Sequence, residues 1–160
     1  MFKRSCLFVF AMALALGLSS EKMQAQQDPF VGTWKLNLAK SKFDPGPAPL
    51  SITVTLGAMG ANGMKNTVDI VVPPDIKTHE ESTAKFDGKD YPVTGSLTFD
   101  SVARKQIDSH TRITINKKAG NVVRMLRGVV SPDGKTFTST GIAIDAQGKA
   151  QNILAVFDKQ

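Results

Sequence analysis

The last third of the chain consists of short β-rich runs separated by turn sequences. This pattern constrains the fold more than any other feature. Each gap between the runs is a few residues long and contains a glycine beside Asp, Ala or Lys, as is typical of tight turns. Short turns join antiparallel neighbours, so the runs predict an antiparallel meander. The predicted strands are Thr111–Asn116, Asn121–Val130, Thr136–Ile144 and Ala150–Phe157.

Weaker strand patterns precede this meander. Pro45, Pro47 and Pro49 indicate an extended connection over residues 40–50, because alternate prolines fit neither a helix nor a central strand. We predict one all-β domain over residues 26–160, an antiparallel up-and-down β-barrel of about 8–10 strands. The other predicted strands are Gly32–Leu38, Ser51–Leu56, Thr67–Val72, Ser82–Phe86 and Lys89–Val93, with one bent or two short strands over Leu97–Ile107.

The N-terminus has the three-part layout of a secretory signal peptide. Two basic residues precede an apolar run from Leu7 to Leu18, and polar residues follow it. The run is shorter than the roughly 20 residues that a membrane-spanning helix needs. We therefore predict a signal peptide over residues 1–25 with cleavage after Ala25, Ser20 being the competing position. The mature protein is expected to be secreted or periplasmic, with no membrane insertion after cleavage.

Charge and cysteine content narrow the classes of function. The chain has 20 Lys+Arg and 14 Asp+Glu, for a net charge of +6. These charges are interleaved rather than gathered in a basic stripe, so no nucleic-acid partner is expected. The single cysteine, Cys6, precedes the apolar run and is lost on cleavage. The mature domain must therefore be stabilised by a buried core rather than by disulfides.

Residues Phe30–Leu36 read Phe-Val-Gly-Thr-Trp-Lys-Leu. The element Gly32-Thr33-Trp34 resembles the Gly-x-Trp that opens the first strand of lipocalins and fatty-acid-binding proteins, the calycins. The chain also resembles small exported bacterial proteins of little-characterised function that are labelled lipocalin-like. The resemblance implies a barrel with a ligand cavity. It also implies a structural role for Gly32 and Trp34, with the tryptophan closing one end of the barrel, often against an arginine from a late strand.

Two departures limit what this resemblance carries over. Fatty-acid-binding proteins place two lid helices after the first strand, where this chain has its alternate prolines, so that lid is not expected. Their intracellular members hold a carboxylate with Arg-x-Tyr on the last strand, which is matched here by Ala155-Val156-Phe157. Apolar residues cannot pair with a buried carboxylate, so this clamp is not carried over.

Two arginines within the apolar strand Asn121–Val130 are the candidate ligand-binding residues. Arg124 and Arg127 lie on opposite faces of the strand, so one of them is predicted to point into the barrel. An inward arginine would anchor an anion in an otherwise apolar pocket. The alternatives are an arginine stacked on Trp34, or one lying outside with its stem along the surface.

The histidines do not form a catalytic or metal-binding motif. His79 lies in the polar stretch 77–81 and is interpreted as a surface-loop residue, because adjacent side chains on a strand point to opposite faces. The consecutive residues Asp108, Ser109 and His110 indicate a turn and cannot form a catalytic triad with one another. No catalytic residue, metal or cofactor is expected, and the protein is predicted not to be an enzyme.

The sequence thus predicts an exported, non-enzymatic barrel that binds an apolar or amphipathic small molecule. The alternative is a secreted or envelope protein with an interaction or structural role, a filled barrel and no ligand. A cavity inside the barrel would separate the two hypotheses, and the sequence identifies neither a particular ligand nor a protein partner.

Overall fold

The computed structural model describes residues 27–160. The predicted signal peptide and its cleavage site after Ala25 lie outside these residues. One short 3-10 helix, Leu38–Lys40, occurs among the strands, and no helix of the described part is long and apolar enough to cross a membrane. The strands are β1 (Gly32–Leu36), β2 (Lys42–Asp44), β3 (Ser51–Ala58), β4 (Gly63–Val72), β5 (Ile76–Lys85), β6 (Asp87–Thr94), β7 (Ser101–Gln106), β8 (Thr111–Lys118), β9 (Asn121–Val130), β10 (Thr136–Ile144) and β11 (Ala150–Lys159).

The strands form one closed, antiparallel, up-and-down barrel. Neighbours from β3 to β11 follow chain order, and β1 pairs with both β3 and β11. The short β2 pairs with the N-terminal half of β11, and β1 pairs with the C-terminal half. The predicted all-β barrel is therefore confirmed, with β1 and β3–β11 forming its wall and β2 as a small addition.

One end of the barrel, the base, is filled by aromatic side chains. Trp34 is fully buried and its Nε1 donates a hydrogen bond to the carbonyl oxygen of Phe30 at 2.8 Å. The centre of the Phe137 ring lies 5.7 Å from the ring centres of both Phe30 and Trp34, in an edge-on arrangement. A Cβ on Gly128 would lie 2.8 Å from Phe137, so a glycine there gives the ring its space. Edge-on aromatic packing of this kind closes the base.

The opposite end, the mouth, is bordered by the segment that joins β1 to β3. This segment consists of the 3-10 helix, β2 and the proline-rich residues 45–49. It occupies the chain position of the two lid helices of fatty-acid-binding proteins. As the prolines predicted, residues 45–49 contain no helix. Gln151 Nε2 on β11 donates a hydrogen bond to the carbonyl oxygen of Pro45 at 2.8 Å, which ties the segment to the barrel wall.

The structure differs from the sequence prediction mainly between residues 57 and 107. The predicted strands ended at Leu56 and resumed at Thr67, but β3 continues to Ala58 and β4 begins at Gly63, because the two strands pair across this region. The interpretation of residues 77–81 as a surface loop is wrong, since they lie within β5 and pair with β4. Residues 97–99 are not a strand.

A cavity inside the barrel

An apolar cavity of about 170 Å³, here called the inner cavity, lies above the base, inside the barrel. A second space of about 550 Å³ lies at the mouth, beside the proline-rich segment. Six residues line both spaces, so the two adjoin along one channel that runs from the base to the mouth. The shared residues are Phe43, Ile52, Ile70, Glu80, Arg124 and Ile153.

Strand alternation supplies the apolar wall. Every second residue of β3, from Ile52 to Leu56, lines the inner cavity, and β11 contributes Ile153, Ala155 and Phe157 in the same way. Period-two alternation places such residues on one face of a sheet. Ala155 and Phe157 are two residues apart on the last strand, where an Arg-x-Tyr clamp would sit, and they present apolar side chains to the cavity.

A band of polar side chains interrupts this apolar wall on the far side, on β4, β5, β7, β8 and β9. The band surrounds a small space of about 30 Å³, here called the polar chamber. The chamber shares several lining residues with the inner cavity, so the two are adjacent. These shared residues are Asn66, Glu80, Arg104, Thr114 and Arg124.

Arg104 on β7 is the least compensated charged side chain of the interior. Only 6% of the residue is exposed. Its Nη2 donates a hydrogen bond to Ser82 Oγ at 3.0 Å, while its buried Nη1 has no partner among residues 27–160. Burial, followed by repulsion from Arg112 and Arg124, lowers the pKa of Arg104 to about 10.

Arg124 on β9 lies inside the barrel and lines the inner cavity, the mouth and the polar chamber. Its Nε donates a hydrogen bond to Asn116 Oδ1 at 2.9 Å, and its guanidinium lies 4.5 Å from the centre of the Phe99 ring. Burial lowers the pKa of Arg124, and attraction to the Glu80 carboxylate opposes this shift. The side chain is thus held in place mainly by neutral groups.

Arg112 on β8 belongs to the base. It forms an ion pair with Asp28, from the segment that precedes β1. Its guanidinium also lies 4.0 Å from the centre of the Phe30 ring and 4.3 Å from that of Phe86. Burial lowers the pKa of Arg112, while the Asp28 hydrogen bond and charge raise it. Unlike Arg104 and Arg124, Arg112 therefore has a carboxylate partner and contacts two aromatic rings.

The remaining residues that the sequence singled out lie away from the cavity. Arg127 is exposed on the outer face of β9 and lines neither space. Trp34 is buried in the base, where the Nζ of Lys159, rather than an arginine, lies 5.0 Å from its ring centre. The alternative of an arginine stacked on Trp34 is therefore wrong. Gly32 has φ +140°, and a Cβ there would lie 2.8 Å from Lys159 Cε.

Sequence reasoning missed Arg104 and Arg112, although their signal resembles that of Arg124. Each is an arginine at an inward position of a strand whose other residues include Val or Ile. The strand β7 was poorly delimited in the sequence, so the face of Arg104 could not be assigned there. The strand order explains why the three arginines lie close together, because β7, β8 and β9 are adjacent and each carries one inward arginine.

His79 lies on the outer face of β5, where its Nδ1 is 2.6 Å from Asp69 Oδ1. This hydrogen bond is the largest of the effects that raise the pKa of His79. His110 lies in the turn between β7 and β8. Within residues 27–160 there is no cluster of three or more His, Cys, Asp or Glu side chains that could hold a metal ion.

Comparison with known proteins supports the architecture. No family model matches the chain, and no curated protein matches it. Among solved structures, the chain is similar to a mutant of the fluorescent protein UnaG, with a TM-score of 0.56 and 14% sequence identity. The similarity covers 82% of this chain and 96% of the UnaG chain. A closed up-and-down barrel with this likeness has the lipocalin-like and fatty-acid-binding-protein-like fold, as Phe30–Leu36 predicted.

Proposed function

We propose that the protein binds an apolar or amphipathic small molecule inside its barrel. The channel from base to mouth is the observation that carries this proposal, because ligand sites are concave, mostly apolar and supplied with a few polar groups. A filled barrel, which the alternative hypothesis requires, would leave no such channel. The similar fold does not establish the function by itself.

Binding rather than catalysis fits the groups that line the channel. Its titratable side chains are Glu80 and the three arginines, with Asp145 and Lys149 at the mouth, and both histidines lie outside it. Arg124 is the polar contact that the sequence singled out, and it lies where the inner cavity and the mouth meet.

Export remains part of the proposal. The apolar run and the small residue at Ala25 support secretion or a periplasmic location. Fractionation of cells that express the full chain tests this, and N-terminal sequencing of the exported protein should begin at Gln26. Retention of the full-length chain in the cytoplasm would contradict it.

Ligand binding is tested by filling the channel. Ile153 on β11 lines both spaces, whereas the next residue, Leu154, is exposed on the outside. We expect Ile153→Trp to lower the affinity for an uncharged dye that fluoresces in apolar surroundings. Leu154→Trp is the matched control and should leave that affinity unchanged.

The ligand itself is sought by native mass spectrometry of protein purified from the compartment to which it is exported. A co-purifying small molecule that is absent from Ile153→Trp would support the proposal. Two results together would count for the filled-barrel alternative: no bound molecule in repeated preparations, and no fluorescence change with the dye.

A further inference from the structure

The charged side chains of the barrel interior do not balance. Arg112 is paired with Asp28, which leaves Arg104 and Arg124 facing the carboxylate of Glu80. The chamber is also lined by Glu81, but that side chain is 45% exposed and ion-paired with Lys65. Within residues 27–160, Arg104, Arg124 and Glu80 form no ion pair, and the two arginines are instead held by Ser82 and Asn116. The interior therefore carries an excess of one positive charge.

An uncompensated buried charge is unfavourable for a folded protein. Buried charges are ordinarily paired or fully hydrogen-bonded, because each loses its hydration when it leaves water. Arg104 meets neither condition, since its Nη1 is buried without a partner. Charged groups in such an unfavourable environment occur preferentially at functional sites.

Strand register brings Arg104 and Arg124 to one space. Arg104 pairs with Thr114 on β8, which pairs with Leu126 on β9, and Arg124 lies one inward position along from Leu126. Two strand spacings of about 4.8 Å separate β7 from β9, which is within the reach of two arginine side chains. Both side chains accordingly line the polar chamber.

The size of the chamber favours a small polar group attached to a larger apolar body. Its volume of about 30 Å³ exceeds the roughly 10–15 Å³ that one water requires, yet it is too small for a whole organic ligand. It adjoins the apolar cavity of about 170 Å³, which leads towards the mouth. A head group in the chamber would leave the rest of the molecule in the channel.

We propose that the polar end of the ligand is a monoanionic group, held in the polar chamber by hydrogen bonds from Arg104 and Arg124. One negative charge neutralises the excess of the interior, and an anionic oxygen would give Arg104 Nη1 its missing acceptor. This inference rests on the proposed function. The site differs from the last-strand clamp of fatty-acid-binding proteins, whose positions are apolar here.

The test compares ligands that share a chain and differ in head-group charge. Dodecanoate, dodecanol and dodecylamine are titrated, below their aggregation concentrations, against the protein carrying the uncharged dye. We expect the wild-type protein to bind dodecanoate roughly tenfold or more tightly than dodecanol, and dodecylamine most weakly. Dodecyl phosphate, which is largely dianionic above neutral pH, is the fourth ligand. It should bind less well than dodecanoate, because the interior has an excess of only one positive charge.

Variants then assign the preference to residues. Arg104→Met and Arg124→Met should each bring the dodecanoate affinity close to that of dodecanol, while dodecanol itself is still bound. Lys105→Met, the exposed neighbour of Arg104 on β7, is the control and should keep the wild-type preference. Circular dichroism establishes that each variant is folded, and the preference of the wild-type protein tests the inference without any variant.

The possible results separate this inference from the proposed function. Equal binding of dodecanoate and dodecanol by the wild-type protein would overturn the anion site and leave a general apolar binding protein. A preference that persists in both Arg104→Met and Arg124→Met would also overturn it. Failure of every ligand and of the dye to bind would overturn the proposed function and the anion site together.

Discussion

Arg104 shows at a single residue how binding and stability oppose each other in this barrel. The low pKa of this arginine, about 10, means that the fold disfavours its charged form. For a base with a lowered pKa, this penalty is fully present below the folded-state value. It fades as the pH rises from there towards the ordinary pKa of an arginine. The penalty therefore acts in full at neutral pH.

We predict that Arg104→Met makes the ligand-free protein more stable. Removing an uncompensated buried charge should raise the free energy of unfolding by about 1–3 kcal/mol at pH 7, as measured by urea denaturation. Lys105→Met, which removes an exposed charge, should change the free energy of unfolding far less. With saturating dodecanoate the order should reverse, because a ligand stabilises the protein that binds it. A clear loss of stability in ligand-free Arg104→Met would count against this account.

Arg112 illustrates the opposite case, a buried charge that is paired. Arg112 is 5% exposed and its carboxylate partner is Asp28. We predict that Asp28→Asn lowers the free energy of unfolding by about 2–4 kcal/mol, because it leaves the guanidinium without a counter-charge. The double variant Asp28→Asn, Arg112→Met should recover part of this loss in a double-mutant cycle. Additive effects of the two changes would mean that the pair is not coupled.

Among the elements, the ladder between β9 and β10 depends on a glycine. A Cβ on Gly141 would lie 1.9 Å from the carbonyl oxygen of Met125 on the neighbouring strand. Backbone cannot yield as a flexible side chain does, so the two strands would have to separate locally. We predict that Gly141→Ala costs about 1–3 kcal/mol of stability, measured by denaturant unfolding.

Gly57 on β3 provides the matched control for this substitution. A Cβ there meets nothing within 4 Å, and alanine is no worse than glycine in a strand of ordinary geometry. Gly57→Ala should therefore leave stability unchanged or slightly raised. Equal destabilisation by both substitutions would indicate that the Met125 contact is not responsible.

The four C-terminal strands were predictable because they are rich in strand-forming residues and are separated by tight turns. Which face is buried was harder to predict, because β8 points Arg112 and Thr114 into the inner cavity while its apolar residues Ile113 and Ile115 do not line it. Only the end of β5 was predicted, as Ser82–Phe86, because its inner residues include Glu80 and Ser82, which are polar like their outward neighbours. Its period-two signal is therefore lost where the polar chamber is built.

The candidate site was only partly readable for the same reason. Arg124 stood out because it interrupts an apolar strand with clear boundaries. Arg104 is in a strand whose limits depend on pairing with β6 and β8, and such contacts are long-range. Its role depends on what lies across the barrel, including the absence of a carboxylate within 4.0 Å among residues 27–160. Sequence alone does not specify that environment.

At the scale of the whole molecule, the two ends of the barrel have different constructions. The base is sealed by aromatic packing and the Asp28–Arg112 ion pair, whereas the mouth is bordered by β2 and the proline-rich residues 45–49. Prolines restrict the backbone of this segment, so it can border an opening without helical support. A ligand is therefore expected to enter and leave at the mouth, past this segment.

We predict that loosening this segment speeds exchange without abolishing binding. Gln151→Ala removes the hydrogen bond to the Pro45 carbonyl oxygen and should raise both the association and the dissociation rates of the uncharged dye in stopped-flow measurements. The equilibrium affinity should change little, because Gln151 lies at the mouth rather than beside the inner cavity. Asn152→Ala, at the adjacent outward position of β11, is the control and should keep wild-type rates. Unchanged rates in Gln151→Ala would place the entry route elsewhere on the barrel.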